Sequence, residues 1–169
     1  MTPVRLALRH VLLGRRGIAG TVYGTIVVMA TLTAGSAGGV ARAWELAIIT
    51  TATVLVLWIA HVHAHVLGHS LEQGHAVTRS DVIASARQEA SIPLAGVMPV
   101  LALALGAAGL LRETTAIWVA LGIGVGTLAT QGIRYARAEQ MNLAGTLVAT
   151  TINVSLGLAI VALKVFVAH

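Results

Sequence analysis

The amino-acid sequence predicts an all-α transmembrane helical bundle of about five spans, with the N-terminus in the cytoplasm and the C-terminus outside. Three observations predict this fold: the composition, five long stretches without charged residues, and the uneven placement of arginine. Of the 169 residues, 57% are hydrophobic and 10% are charged, whereas roughly 25% are charged in soluble domains. Such a composition is typical of a protein immersed in lipid.

Stretches free of Asp, Glu, Lys and Arg supply the five candidate spans. They run over residues 17–41, 46–71, 90–111, 114–133 and 140–163. A helix needs about 20 apolar residues to cross the hydrocarbon, and every stretch reaches that length. Transmembrane β-strands would need only about 10 residues with strict alternation, which these continuous runs lack. The predicted spans lie near 18–37, 45–67, 92–111, 115–133 and 142–164.

The arginine and lysine residues outside these stretches predict the orientation. One side of the membrane receives eight of them: Arg5, Arg9, Arg15, Arg16, Arg79, Arg87, Arg134 and Arg137. The other side receives three: Arg42, Arg112 and Lys164. Basic residues favour the cytoplasmic side, so the N-terminus is predicted inside and the C-terminus outside.

Residues 1–16 form a basic segment before the first span. Apolar residues among Arg5, Arg9 and His10 predict either a short helix on the inner leaflet or a simple basic leader. A cleavable signal peptide is the alternative, because small residues from Thr33 to Gly39 follow the apolar run, and cleavage would leave four spans. We favour an uncleaved span, since the apolar run from Gly17 is longer than the apolar region of a signal peptide, which usually has roughly 7 to 15 residues.

A polar segment near residues 70–90 joins the second and third spans. The sequence from Thr78 to Asp81 has the pattern of a capping box, which predicts a short amphipathic helix through Ala86 on the cytoplasmic side. Pro93 suits the first turn of the third span, and Pro99 should kink that span.

Small residues spaced at i+3 or i+4 predict three helix-packing seams, because close approach of backbones drives helix association in lipid. The seams comprise Gly20 and Gly24 in the first span, Gly122 and Gly126 in the fourth, and Thr146, Thr150 and Asn153 in the fifth. Glu45 and Lys164 lie at matching depth near the outer ends of the second and fifth spans, so the two side chains could form an ion pair.

The inner end of the second span carries a cluster of histidines. On a helix, His61 and His65 lie one turn apart and share a face with Thr50 and Thr53, which predicts a polar stripe. His63 points to the opposite side. The cluster is therefore not a three-ligand metal site on one helix.

Three interpretations of this stripe stay open. Imidazole changes charge near neutral pH, so the two histidines could line a path for protons or cations. With His69, Glu72, Asp81 or Glu89 they could instead hold a divalent transition metal. The third interpretation is structural, because polar side chains near the interface also bond neighbouring helices. Haem fits less well, since no histidine is found on a facing span.

Several function classes are disfavoured. The chain has no cysteine, which excludes disulfides, thiolate nucleophiles and cysteine-ligated metals. It has no nucleotide-binding loop, serine-hydrolase elbow or intramembrane carboxylate pair, so we do not expect an enzyme. The arginines lie singly or in pairs at the ends of apolar runs and not on a basic face with aromatic residues, so we expect no nucleic-acid partner.

Three stretches, residues 22–29, 44–47 and 57–67, resemble uncharacterised small multi-pass integral membrane proteins of actinobacterial type. The similarity covers the first two spans best. The resemblance implies a location in the plasma membrane and no particular activity.

These observations favour a small transport or channel-like protein for protons or cations. His61 and His65 would line the path, and Glu72, Asp81 and Glu89 would shape its cytoplasmic mouth. Five short helices would need a homo-oligomer to enclose such a path. The alternative is a non-transporting accessory or scaffold subunit, whose packing seams at Gly20 and Gly24 and at Thr146, Thr150 and Asn153 bind the helices of a partner membrane protein.

Overall fold

The computed structural model describes residues 15–36, 42–74 and 76–167. Within these ranges the chain forms six α-helices and no strand, so the predicted all-α fold is confirmed. Residues 1–14 of the predicted basic segment lie outside the described residues. Residues 37–41, which include part of the alternative signal-cleavage region, also lie outside them. The helices are α1 (Arg15–Ser36), α2 (Ala43–Gln73), α3 (Arg79–Gln88), α4 (Ser91–Ala107), α5 (Glu113–Ala138) and α6 (Leu143–Val167).

Four of the described helices are long and apolar enough to cross a membrane alone: Gly17–Ser36, Ala43–Glu72, Glu113–Ala138 and Leu143–Phe166. The predicted third span corresponds to α4, which has 17 residues. At 1.5 Å per residue that length is about 25 Å, less than the hydrocarbon thickness of about 30 Å. Taken together with α3, across a bend of 49°, α4 makes a fifth candidate. The described part of the protein thus has four to five helices able to span a membrane.

α4 ends before the predicted position because Gly109 reverses the chain. Gly109 has a φ of 75°, a left-handed conformation that glycine adopts without steric cost. The amide of Leu110 donates to the carbonyl of Leu105 at 3.0 Å, and that of Gly109 donates to Gly106 at 3.0 Å. These two bonds form a Schellman motif, which satisfies carbonyls at the helix end and directs the chain into α5.

The centre of the bundle consists of α1, α4 and α5, and the two other long helices lie outside this centre. α1 packs against α2, α4, α5 and α6, whereas α2 and α6 share no packed interface within the described part of the chain. Half of the α1 span is buried, compared with 17% of the α2 span and 11% of the α6 span. The two outer helices therefore present a broad apolar surface outward, as lipid-facing helices do.

The apolar core lies between α1, α2, α4 and α5. Its fully buried large side chains are Val28, Met29, Leu32, Leu46, Ile92, Leu103, Leu121 and Leu128. Because α1 supplies three of them, signal-peptide cleavage after this helix would remove the centre of the core.

Two predicted glycine seams differ in the structure. A Cβ on Gly24 would lie 2.6 Å from the carbonyl oxygen of Ile92, and Gly20 lies against the Ser91 side chain, so both glycines lie where α1 meets α4. In contrast, a Cβ on Gly122 or Gly126 would meet no atom within 4 Å in the described structure. The predicted seam of α5 therefore faces outward. The sequence pattern could not show this, because lipid is as apolar as a protein interior and the two faces of the helix look alike.

The close contacts of α5 come from two other glycines. A Cβ on Gly124 would lie 2.6 Å from Met29, and one on Gly132 would lie 2.7 Å from the Cα of Thr150. Thr150 thus lies at the α5–α6 contact. The other members of that predicted seam bond their own helix: Thr146 donates to the carbonyl of Asn142 and Asn153 donates to the carbonyl of Ala149, each at 3.0 Å.

Glu45 and Lys164, both described, do not form the predicted ion pair. The Glu45 carboxylate accepts a hydrogen bond from the backbone amide of Arg42 at 3.2 Å. The Lys164 ammonium donates to the Ser36 hydroxyl and lies 5.5 Å from the centroid of the Trp118 ring. Equal depth does not make these residues neighbours, because α2 and α6 are not packed against each other in the described residues.

Candidate functional site

A polar cleft of about 390 Å³ opens at the end of the bundle where α1 begins. Three segments build it: the first half of α1, the second half of α2, and the junction between α3 and α4. We call it the histidine cleft, and it is lined by Ala19, Gly20, Tyr23, His61, His65, Gln88, Glu89 and Ile92.

His61 is half-buried in this cleft, and its ring is held on two sides. Its Nδ1 lies 3.1 Å from the carbonyl oxygen of Leu57, one turn earlier in α2. A carbonyl can only accept, so Nδ1 carries the hydrogen and the neutral ring presents Nε2 as an acceptor. The ring of Tyr23 in α1 packs against it, with centroids 5.0 Å apart and planes tilted by 46°.

His65 lies one turn further along α2 and is exposed at the mouth of the cleft. Its Nε2 lies 3.2 Å from Nε2 of Gln88, which donates to it from the last residue of α3. This hydrogen bond joins α2 to the connecting segment. The two predicted histidines thus share one cleft with side chains from two other parts of the chain.

The capping box predicted from the sequence helps to place Gln88 and Glu89. The Thr78 hydroxyl accepts from the amide of Asp81, and the Asp81 carboxylate accepts from the amide of Thr78 at 2.9 Å. α3 begins at this point and runs back along α2, where the Trp58 indole donates to the carbonyl of Ala86 at 3.3 Å. These contacts fix both ends of a helix of 10 residues, which is too short to be stable alone.

The metal interpretation required at least one more ligand beside the two histidines. His69 and Glu72 are exposed on the last turns of α2 and do not line the cleft. Asp81 is engaged in the capping box of α3. Among the described residues, no three His, Asp or Glu side chains are placed to hold one metal ion. The geometry therefore does not support the predicted divalent-metal site.

The predicted polar stripe is interrupted. Thr50 is fully buried, its hydroxyl has no hydrogen-bond partner in the described structure, and it lies 11 residues before His61, which is about 16 Å along the helix. Val54, Leu57 and Trp58 occupy the same face between them and pack into the core. Thr50 instead lines a separate apolar cleft of about 290 Å³ between α2 and α4, and Thr53 is half-buried.

A second cleft, of about 470 Å³ and mainly apolar, lies on the other side of α1. Gln131 and Tyr135 line it at successive turns of α5, Glu139 lines it from just after the end of that helix, and Asn153 lines it from α6. The Arg134 guanidinium donates to the buried Gln131 side chain at 2.9 Å. The sequence reasoning did not identify this cleft, although Gln131, a polar residue within the fourth apolar stretch, was a visible signal.

Tyr23 and Gln88 are the lining residues of the histidine cleft that the sequence reasoning missed. Gln88 is polar and sits in the connecting segment already singled out, so its proximity could have been inferred. Tyr23 lines both clefts but comes from α1, whose register against α2 is set by the α1–α4 contact at Gly20 and Gly24. No local pattern in the sequence reports that register.

The histidine cleft combines two imidazoles, a carboxylate, an amide and a phenol, within a bundle whose other buried positions are mainly apolar. Such a set can exchange protons and bind a cation. Four titratable side chains, Tyr23, His61, His65 and Glu89, converge on this cleft, which makes it the candidate site. The chain matches no known protein family, no curated protein and no solved structure.

Proposed function

We propose that this protein is a small multi-pass transport protein of the plasma membrane that handles protons or cations, with the histidine cleft as its binding site. The observation that carries the proposal is the convergence of Tyr23, His61, His65 and Glu89 on one cleft from three separate segments of the chain. Membrane helices tolerate such groups mainly where they face a water-filled cavity or an ion pathway.

A transport cycle needs access from both sides, and the described conformation offers access from one. Between His61 and the far end of α2, the shared face is occupied by Val54, Leu57 and Trp58 against the apolar core. The proposal therefore includes either a rearrangement of α1 against α2 or a second copy of the chain to complete the path. With the N-terminus inside, as the arginine distribution favours, the cleft opens to the cytoplasm.

Flux measurements in proteoliposomes test this proposal. The wild-type protein should pass protons or a cation, and the double variant His61→Ala, His65→Ala should reduce the flux to that of protein-free liposomes. His63→Ala is the matched control, because His63 is exposed on the opposite face of α2 and should leave flux unchanged. Normal flux in the double variant, or equal loss in the control, would remove the role assigned to the cleft.

A second candidate function is that of a non-transporting accessory subunit, and one specific observation favours it. Gly122 and Gly126 leave an exposed seam on α5 that no described helix fills, and such seams let another helix approach closely. On gentle solubilisation this function predicts co-purification of a partner membrane protein with the wild type. Gly122→Leu with Gly126→Leu should abolish it, and a monodisperse single chain in both cases would contradict this function.

A further inference from the structure

The volume of the histidine cleft is similar to that of small-molecule binding sites. Its volume of about 390 Å³ falls within the range of roughly 300 to 1,000 Å³ that is usual for small-molecule pockets. A transition-metal ion would instead need three or four side-chain ligands converging on one point. Among the described residues no three His, Asp or Glu side chains do so.

The polar groups of the cleft are suited to a ligand that donates hydrogen bonds. The Glu89 carboxylate forms no hydrogen bond or ion pair with any described residue. In its neutral form His61 has Nε2 as an acceptor, because the hydrogen on Nδ1 is bonded to the carbonyl of Leu57. Gln88 donates to His65 through its nitrogen, which leaves its amide oxygen as a third acceptor.

The charge and the remaining walls favour a cation with an organic part. Glu89 is the acidic residue among the lining residues, and no lysine or arginine of the described residues lines the cleft. Tyr23 adds an aromatic ring, whose face attracts ammonium groups. Ala19 and Ile92 complete the lining with apolar surface.

We infer that the cation recognised by the histidine cleft is an organic ammonium ion that carries N–H groups. Its ammonium group donates to Glu89 and to His61 Nε2, and its hydrocarbon part lies against Tyr23 and Ile92. This inference rests on the proposed function for its transport role, but the binding step stands independently of flux.

Calorimetric titration of the detergent-purified full chain tests the inference with benzylammonium as the probe. Benzylammonium should bind, benzyltrimethylammonium should bind at least about tenfold more weakly because it has no N–H donors, and benzyl alcohol should not bind measurably. Glu89→Gln and His61→Phe should each weaken benzylammonium binding by about tenfold or more, since the first removes the negative charge that pairs with the ammonium group and the second removes a hydrogen-bond acceptor. His61→Phe keeps a ring beside Tyr23.

Two matched controls separate site effects from general damage. His63→Phe repeats the ring substitution on the exposed opposite face of α2, and Glu113→Gln repeats the charge removal at the far end of the bundle. Both should bind benzylammonium as the wild type does. Equal affinity for benzylammonium and its trimethyl analogue, no binding of either, or equal loss in the controls would overturn the inference.

The outcomes also distinguish this inference from the proposed function. Proton or inorganic-cation flux that depends on His61 and His65, without benzylammonium binding, would keep the transport proposal and reject the organic substrate. Benzylammonium binding that depends on Glu89, without any flux, would keep the site and reject transport.

Discussion

Replacing Gly24 with alanine should destabilise the bundle by about 1 to 3 kcal/mol, the usual range for overpacking a tight contact. The added Cβ would lie 2.6 Å from the carbonyl oxygen of Ile92 and 3.2 Å from its Cα. Both are backbone atoms of α4, so no side-chain rotation relieves the clash. The two helices must separate, and they are the helices that carry Val28, Met29, Leu103 and much of the core.

Gly122→Ala is the matched control for this prediction. Both glycines lie inside helices that are long and apolar enough to span a membrane, but a Cβ on Gly122 meets no atom within 4 Å in the described structure. Alanine favours a helix over glycine by up to about 1 kcal/mol, so Gly122→Ala should be neutral or slightly stabilising. Denaturant unfolding in detergent micelles measures both free energies of unfolding. Equal destabilisation by the two variants would show that the α1–α4 contact is not where the structure places it.

The contrast between these glycines explains which part of the fold could be predicted from the sequence. The absence of charge over about 20 residues depends only on the cost of placing ions in hydrocarbon, and it located four spanning helices and the shorter α4. Partner choice depends on which face of a helix meets protein and which meets lipid, and the two environments are equally apolar. Gly20 and Gly24 were therefore correctly expected at a contact, whereas Gly122 and Gly126 were not distinguishable from Gly124 and Gly132.

The candidate site was also predictable from the sequence only in part. Helical periodicity predicts that His61 and His65 share one face of α2. Glu89 belongs to the connecting segment that follows α2, so it was expected near the end of that helix where the histidines lie. The interruption at Val54 and Leu57 was visible in the sequence, but the fully buried state of Thr50 depends on how α4 packs against α2. Likewise, the sequence predicts that Glu45 and Lys164 lie at the same depth in the bundle. It does not show that their helices, α2 and α6, share no packed interface within the described residues.

Cysteine labelling should separate a water-exposed cleft from a sealed core, with an all-or-none difference between two positions on the same helix. The chain has no cysteine, so each single substitution is the unique reactive thiol. His65→Cys lies at the exposed mouth of the cleft and should react rapidly with a charged maleimide in opened membranes. Thr50→Cys lies at a fully buried position and should stay unlabelled until the protein is unfolded in SDS.

Two further cysteines in the same experiment measure the predicted orientation. In intact cells, a membrane-impermeant maleimide should label Glu113→Cys, which begins α5 on the predicted outer side. It should not label Arg87→Cys, which lies in α3 on the predicted cytoplasmic side. The reverse result would turn the histidine cleft outward. Rapid labelling of Thr50→Cys in the folded protein would instead mean that water passes His61, and the apolar barrier of Val54, Leu57 and Trp58 would then not close the path.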